Sequence, residues 1–350
     1  MVTGFQIAGR QLGPGAPCFV IAEAGVNHNG DPAMAHALVD VAADAGADAV
    51  KFQTFCAERL ATPDAPKAGY QLAGDGETES QQAMLRRLEL DDGAWRELMR
   101  HCRERNITFL SSPFDEASAD DLDRLGIAAF KVGSGEITNL PFLEHLSRKR
   151  KPLILSTGMA DLTEVASAVG AVRSAGCRSL ALLHCVSAYP ANPEDCNLRA
   201  MQTLAGMFGA PVGWSDHTMG GEVVLAAVAL GACIIEKHIT LDPDLPGPDQ
   251  RCSTPPEEFA ALVAALRRVE SALGDGRKQP AAAEADVAAV ARKSLVAACD
   301  LVAGTSLTAE AVASRRPGIG IAPARLADFL GRRIKQPVAA GTLLHPKMFE

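Results

Sequence analysis

Short apolar runs alternate along the chain with longer stretches whose apolar positions recur every three or four residues. The runs are CFVIAEAGV (18–26), DAVKFQTF (48–55), ITFLSSPF (107–114), AAFKVGSG (128–135), PLILSTG (152–158), SLALLHCVS (179–187), PVGWSDH (211–217) and ACIIEKHI (232–239). Their length and their content of branched and aromatic residues predict buried β-strands. The intervening stretches, among them DPAMAHALVDVAADAG, LTEVASAVGAVRSAG and EVVLAAVALG, carry the helical period, and Gly46, Gly176 and Gly231 stand where a helix C-cap is expected.

Eight strands separated by helices predict a closed parallel (β/α)8 TIM barrel, with an open doubly wound sheet as the alternative. The placement of polarity favours the barrel. Each run begins apolar and finishes polar, at Glu23, Lys51 with Gln53, Ser111 with Ser112, Lys131, Ser156 with Thr157, His184 with Ser187, Ser215 with His217, and Glu236 with His238. In a barrel those ends converge on one mouth, where sites of this fold are built. Alternation along a strand points Glu236 and His238 the same way, as it does Lys51 with Gln53 and Ser215 with His217. It turns Lys237 toward the surrounding helices or out at the strand tip. A single polar strand end is more often a cap or a solvated turn than a catalyst; eight together point to a site.

Composition narrows the classes. The 350-residue chain is 47% hydrophobic, enough for a large α/β domain with a smaller companion. No leader peptide and no apolar run long enough to span a bilayer is read, so a cytoplasmic protein is expected. Nine cysteines without any CxxC spacing suggest reduced, buried thiols. A net charge of −8 and 5% aromatic residues argue against nucleic-acid binding.

The stretch 274–292 is small and polar and reads as a linker between a barrel (1–273) and a compact β-rich module (293–350). Inside the module, LVAGTSLTAEAV (301–312) is echoed by VAAGTLLHPKMF (338–349), and the intervening RRPGIGIAP forms a loop that is either a plain turn or a means of presenting Arg316 to an anion.

His217 and His238, on neighbouring predicted strands, can share a divalent metal that acts as a Lewis acid on a carbonyl. Two ligands alone are a weak signal. Lys51, Lys131 and Arg316 suit an anionic substrate, and KVGSGE adds backbone N–H groups beside Lys131 and Ser134. That segment lacks the GxGxxG spacing of a dinucleotide site. Lysines on barrel strands also permit a Schiff base, which keeps an aldolase as a rival.

The ordered set FVIAEAGVNHNGD, ADAVKFQTF, APKAGYQ, ESQQAMLRRLEL, FLSSPFD, FKVGSGEITNLPFL, PLILSTGMA, LLHCVSAYPANPEDCNL, GWSDHT, EKHITLD, GPDQRCS and RRPGIGI resembles the sialic acid synthases over nearly the whole chain. The tail resembles their antifreeze-like, or SAF (β-clip), domain. The resemblance implies condensation of phosphoenolpyruvate with an N-acylated mannose-type sugar, a Mn2+ or Mg2+ ion on His217 and His238, and a homodimer in which the tail caps the partner's barrel. It further implies that Lys131, Ser134, Ser187, Ser215 and Ser112 surround phosphoenolpyruvate. Glu23, Lys51, Gln53, Tyr189 and Asp249 would hold the sugar, Arg316 would reach its N-acyl group, and Glu136 would handle a proton or the attacking water. Ser187 stands where some members have Asn. Gln250 stands where many have His, which bears on sugar preference. N-acetylneuraminate synthesis is the expected reaction, with N,N'-diacetyllegionaminate synthesis as the alternative.

Overall fold

The computed structural model describes residues 2–71 and 79–350. The chain divides into two compact units, Met1–Gly274 and Asp275–Glu350.

In the first unit a hairpin of β1 (Phe5–Ile7) and β2 (Arg10–Leu12) precedes eight parallel strands. These are β3 (Phe19–Gly25), β4 (Ala49–Thr54), β5 (Thr108–Pro113), β6 (Phe130–Val132), β7 (Leu153–Ser156), β8 (Leu180–Cys185), β9 (Val212–Asp216) and β10 (Ile234–His238). They close in sequence order, β10 pairing with β3, so the barrel alternative holds and the open sheet falls. Around it run α1 (Pro32–Asp44), α2 (Ala57–Leu60), α3 (Gln81–Arg87), α4 (Asp92–Glu104), α5 (Glu116–Leu125), α6 (Leu140–Arg148), α7 (Leu162–Ser174), α8 (Ala200–Phe208), α9 (Glu222–Ala229) and α10 (Pro256–Leu273).

Local chemistry sets the helix ends. The carboxylates of Asp31, Asp91, Asp115 and Asp161 accept backbone N–H groups at the starts of α1, α4, α5 and α7, each cap worth about 1 kcal/mol. Beyond α1 and α7, Gly46 and Gly176 take left-handed conformations at φ +79° and +101°, as the sequence signals required.

Alternation divides each strand between two cores. Val20, Ala22, Val50, Phe52, Leu155 and Leu182 face outward and pack among the helices. Phe19, Ile21, Ala49, Leu110, Ile154, Leu183 and Ile234 face inward, and Ile7 and Leu12 of the hairpin join them, sealing the end of the barrel where the strands begin. Continuing the same parity toward the other end brings polar residues inward, so the site is set by register.

In the second unit α11 (Ala285–Ala291) is followed by an antiparallel pair, β11 (Ser294–Ala297) with β12 (Val312–Arg315). Part of the stretch expected as linker is therefore helical and belongs to this unit. The two echoed segments pair with each other through reciprocal backbone bonds of 2.8 Å between Leu301 and Val338. Leu295, Leu301, Leu307, Ile321, Phe329, Ile334, Leu344 and Phe349 form its core. Arg316 is exposed, directly after β12.

Candidate active site

At the C-terminal ends of the strands lies a cavity of about 440 Å³. Glu23, Lys51, Gln53, Ser112, Lys131, Ser134, Ser187, Tyr189, His217, Glu236, His238 and Asp249, all singled out from the sequence, line it. Ser215 lies just beneath and donates its hydroxyl to Glu236 Oε1 at 2.9 Å.

Two buried lysines organise two buried carboxyls. Lys51 Nζ sits 2.7 Å from Glu23 Oε2 and 3.8 Å from Glu236 Oε2, and Lys131 Nζ sits 3.3 Å from Glu236 Oε1. Lys51 also donates to Ser112 Oγ at 3.2 Å. Burial alone would raise the Glu236 carboxyl, yet Lys131 and Lys51 hold it down at about 2. For Glu23 burial wins over Lys51 and pushes the carboxyl up to about 7; burial likewise raises Asp249 to about 6. Burial lowers Lys131. Since both ammonium groups are committed to carboxylates, the floor is closer to charge balance than the lysines alone suggest. Glu23 Oε1, Gln53 Nε2 and Asp249 Oδ2 converge on Gly25, whose φ is +54°; a methyl there would meet them at 3.3, 3.5 and 3.6 Å. Such a cluster of acceptors and one amide is suited to sugar hydroxyls.

Past the ends of β6 and β7, against the last residue of β8, a second group gathers. The Gly158 N–H donates to Ser134 Oγ at 3.0 Å, and that hydroxyl lies 3.2 Å from Cys185 Sγ.

The imidazoles of His217 and His238 are 5.6 Å apart between ring centroids, with the Tyr189 ring 4.3 Å from the first. His217 Nδ1 donates to Val186 O at 2.7 Å, which leaves Nε2 with its lone pair. Burial keeps both rings on the neutral side of their ordinary range. His238 Nδ1 and Glu236 Oε2 are buried without a hydrogen-bond partner. Neutral imidazoles with such orphaned atoms beside them fit a divalent ion. Elsewhere among the described residues, Cys56, Glu58 and Glu89 also approach one another, but Glu58 is exposed and paired with Arg86, and Glu89 caps Ala57 N.

Several of the selected residues lie away from the lining of this cavity. Glu136 does not line the cavity: the chain turns into a 3-10 segment, Ser134–Glu136, and its carboxylate accepts from Asn139 at 2.8 Å. Gln250 is buried and structural, donating to Asn27 O at 3.0 Å and bonding Thr240 Oγ1, so it does not reach a sugar in this cavity. Ser111 and His184 fall on the outward parity; Ser111 bonds Thr54, and His184 bonds Cys196 O and packs at a tilt against Trp214. Arg316 lies in the second unit. Ser156, one of the polar strand ends but assigned no role, is buried with an unpartnered hydroxyl and lines the cavity from β7 at the inward parity. Two features escaped selection. Gly158 and Cys185 pack against Ser134 and Ser187. Val26, Leu60, Met84, Leu85, Leu88 and Phe114 form an apolar wall over β3, β4 and β5.

A closed barrel with lysine, carboxylate and imidazole groups on successive inward positions of its strand ends has the make-up of a barrel enzyme site suited to anions and carbonyls. Comparison with known proteins makes the class specific. Residues 38–278 match the NeuB family model, and residues 292–350 match the SAF domain. An N,N'-diacetyllegionaminic acid synthase of Legionella pneumophila is 47% identical over 96% of this chain and 95% of its own length. One of Campylobacter jejuni is 46% identical over 89% and 94%. A solved N-acetylneuraminic acid synthetase from Leptospira borgpetersenii, in complex with citrate, superposes with a TM-score of 0.72 at 36% identity, covering 82% of this chain and 95% of that one. The chain belongs to the NeuB family, carbon–carbon bond-forming transferases of the sialic acid synthase type. No helix among the described residues is long and apolar enough to cross a membrane.

Proposed function

We propose that the barrel mouth joins phosphoenolpyruvate to the aldehyde of an open-chain, N-acylated mannose-type sugar and releases phosphate. The observation that carries this reading is the inward face of the barrel mouth, on which Glu236 is held between Lys131 and Lys51 and two neutral imidazoles, one of them the next inward residue of its own strand, gather. In it Lys131, Ser134, Ser187, Ser215 and Ser112 hold phosphoenolpyruvate, while Glu23, Lys51, Gln53, Tyr189 and Asp249 hold the sugar. The enol π electrons form a bond from C3 to the aldehyde carbon, and the aldehyde oxygen takes up a proton. Water adds to the cation left at C2 and gives up its proton. The C2–O bond to phosphate then breaks, the new hydroxyl loses its proton, and a ketone remains. The ionised Glu236 stabilises the cation by its charge. Glu136, engaged by Asn139, is given no step. A divalent ion, manganese or magnesium, held by His217 and His238 supplies Lewis-acid polarisation of a carbonyl when bound.

As acceptor we read 2,4-diacetamido-2,4,6-trideoxymannose, giving N,N'-diacetyllegionaminate, ahead of N-acetylmannosamine. Support comes from the names of the 47% and 46% identical relatives. The apolar wall adds to it, since it suits a C6 methyl and a second acetamido methyl, each worth about 10-fold or more in selection. Homodimer formation and a cytoplasmic location go with this reading on the family resemblance. Purified protein with phosphoenolpyruvate, Mn2+ and each sugar tests it by phosphate release and product mass. The diacetamido sugar is expected to have a kcat/KM at least ~10-fold higher. A preference for N-acetylmannosamine would overturn the acceptor, and a lysine adduct trapped by borohydride would overturn the reaction.

A further inference from the structure

The two imidazoles have a counterpart on the opposite face of the same strands. Parity that sends residues 217 and 238 into the mouth sends 216, 218 and 237 outward. There Lys237, buried and in register with Asp216, ion-pairs with that carboxylate and donates to Thr218 O at 2.8 Å. The Asp216 carboxylate also accepts from Trp214 Nε1 at 2.8 Å and Thr218 Oγ1 at 2.9 Å. One ammonium group thus grips the chain on both sides of His217.

The grip sits where the ladder has run out. Pairing of β9 with β10 ends at Asp216, one residue short of His217. On the β8 side His217 is tied by Ala191 N, which donates to its carbonyl at 2.9 Å, and by Val186 O, which receives its Nδ1 proton. On the β10 side the tie is Lys237, whose neighbour in sequence is His238. A buried ion pair adds little net stability over apolar side chains of the same volume, and its best-attested use is to fix registry. Here the registry fixed is that of two strand tips, each carrying one imidazole.

We propose that Lys237 is a positioning residue that, by clamping Asp216 and Thr218 around His217, sets the separation of the two imidazoles and with it the affinity for a divalent ion. The proposal rests on the reading that His217 and His238 hold such an ion. Removing a group that orients metal ligands typically weakens the site about 10- to 100-fold.

The test needs no turnover. Chelator-stripped protein is titrated with Mn2+ alone, and free Mn2+ is followed by electron paramagnetic resonance; the stoichiometry reports the folded fraction and the Kd reports the site. Lys237→Met is expected to raise the Kd about 10- to 100-fold. Asp216→Asn, whose one amide oxygen can still accept from Trp214 and Thr218 while the charge that pairs with Lys237 is lost, is expected to raise it about threefold or more, and it decides the matter if the methionine variant does not fold. A Kd within twofold of wild type in the folded variants would overturn the clamp and leave a merely structural ion pair. Wild-type Mn2+ binding that survives unchanged in His217→Ala would instead overturn the metal reading on which the clamp rests.

Discussion

Removing either imidazole, as His217→Ala or His238→Ala, is expected to lower kcat/KM for phosphate release by about a thousandfold. Each ring projects inward at the mouth, each is kept neutral by burial, and they share one small region with Glu236. Loss of either leaves one imidazole where two converge, and in the proposed function the ion that would supply several kcal/mol of carbonyl polarisation is held by the pair. The fold should tolerate both changes better than the chemistry does, because the β9–β10 ladder stops at Asp216 and His238 pairs with β3 through backbone groups that alanine retains. Circular dichroism and melting would establish the folded state, and a coupled phosphate assay over a range of phosphoenolpyruvate and sugar concentrations would give kcat/KM. Activity retained to within tenfold in either variant would remove the histidines from the chemistry.

Gly158→Ala is expected to raise the KM for phosphoenolpyruvate and to lower kcat/KM about 100-fold, with far less effect on the KM for the sugar. The added methyl would lie 2.5 Å from Ser187 Oγ, 2.9 Å from Ser134 Oγ and 3.0 Å from Cys185 Sγ. Gly158 does not occupy a left-handed conformation, so the backbone accepts alanine and the conflict is purely one of space. Two of the three atoms are hydroxyls that can rotate away. The fold therefore survives at a cost of about 1–3 kcal/mol, while the hydroxyls leave the positions proposed to hold the anion. Melting temperature and steady-state kinetics measured on one preparation separate these effects, and an unchanged KM for phosphoenolpyruvate would show that the Ser134 and Ser187 hydroxyls are not its ligands.

Much of this site was legible because a strand has a period of two. Once the last inward residue of each run is known, Glu23, Lys51, Lys131, Ser215 and Glu236 follow from counting, and the same count, applied strictly, excludes Ser111 and His184. Legibility ends where the strand ends. Glu136 lies only five residues beyond Lys131, but a 3-10 turn intervenes and hands its carboxylate to Asn139. Gln250 neighbours Asp249, yet one side chain reaches the cavity and the other binds the loop that carries Asn27. The apolar wall on α2 and α3 was hidden for a different reason: Leu60, Met84 and Leu88 read in sequence as ordinary helix-packing positions, and they are also that. Lys237 was placed correctly on the outer face, but its partners were invisible until Asp216 was found in register with it.

The hairpin that carries Ile7 and Leu12 stoppers the barrel at the end remote from the chemistry. Among the described residues the strands' other end is the open one, so on the proposed reaction both reactants would enter, and both products leave, by the same mouth.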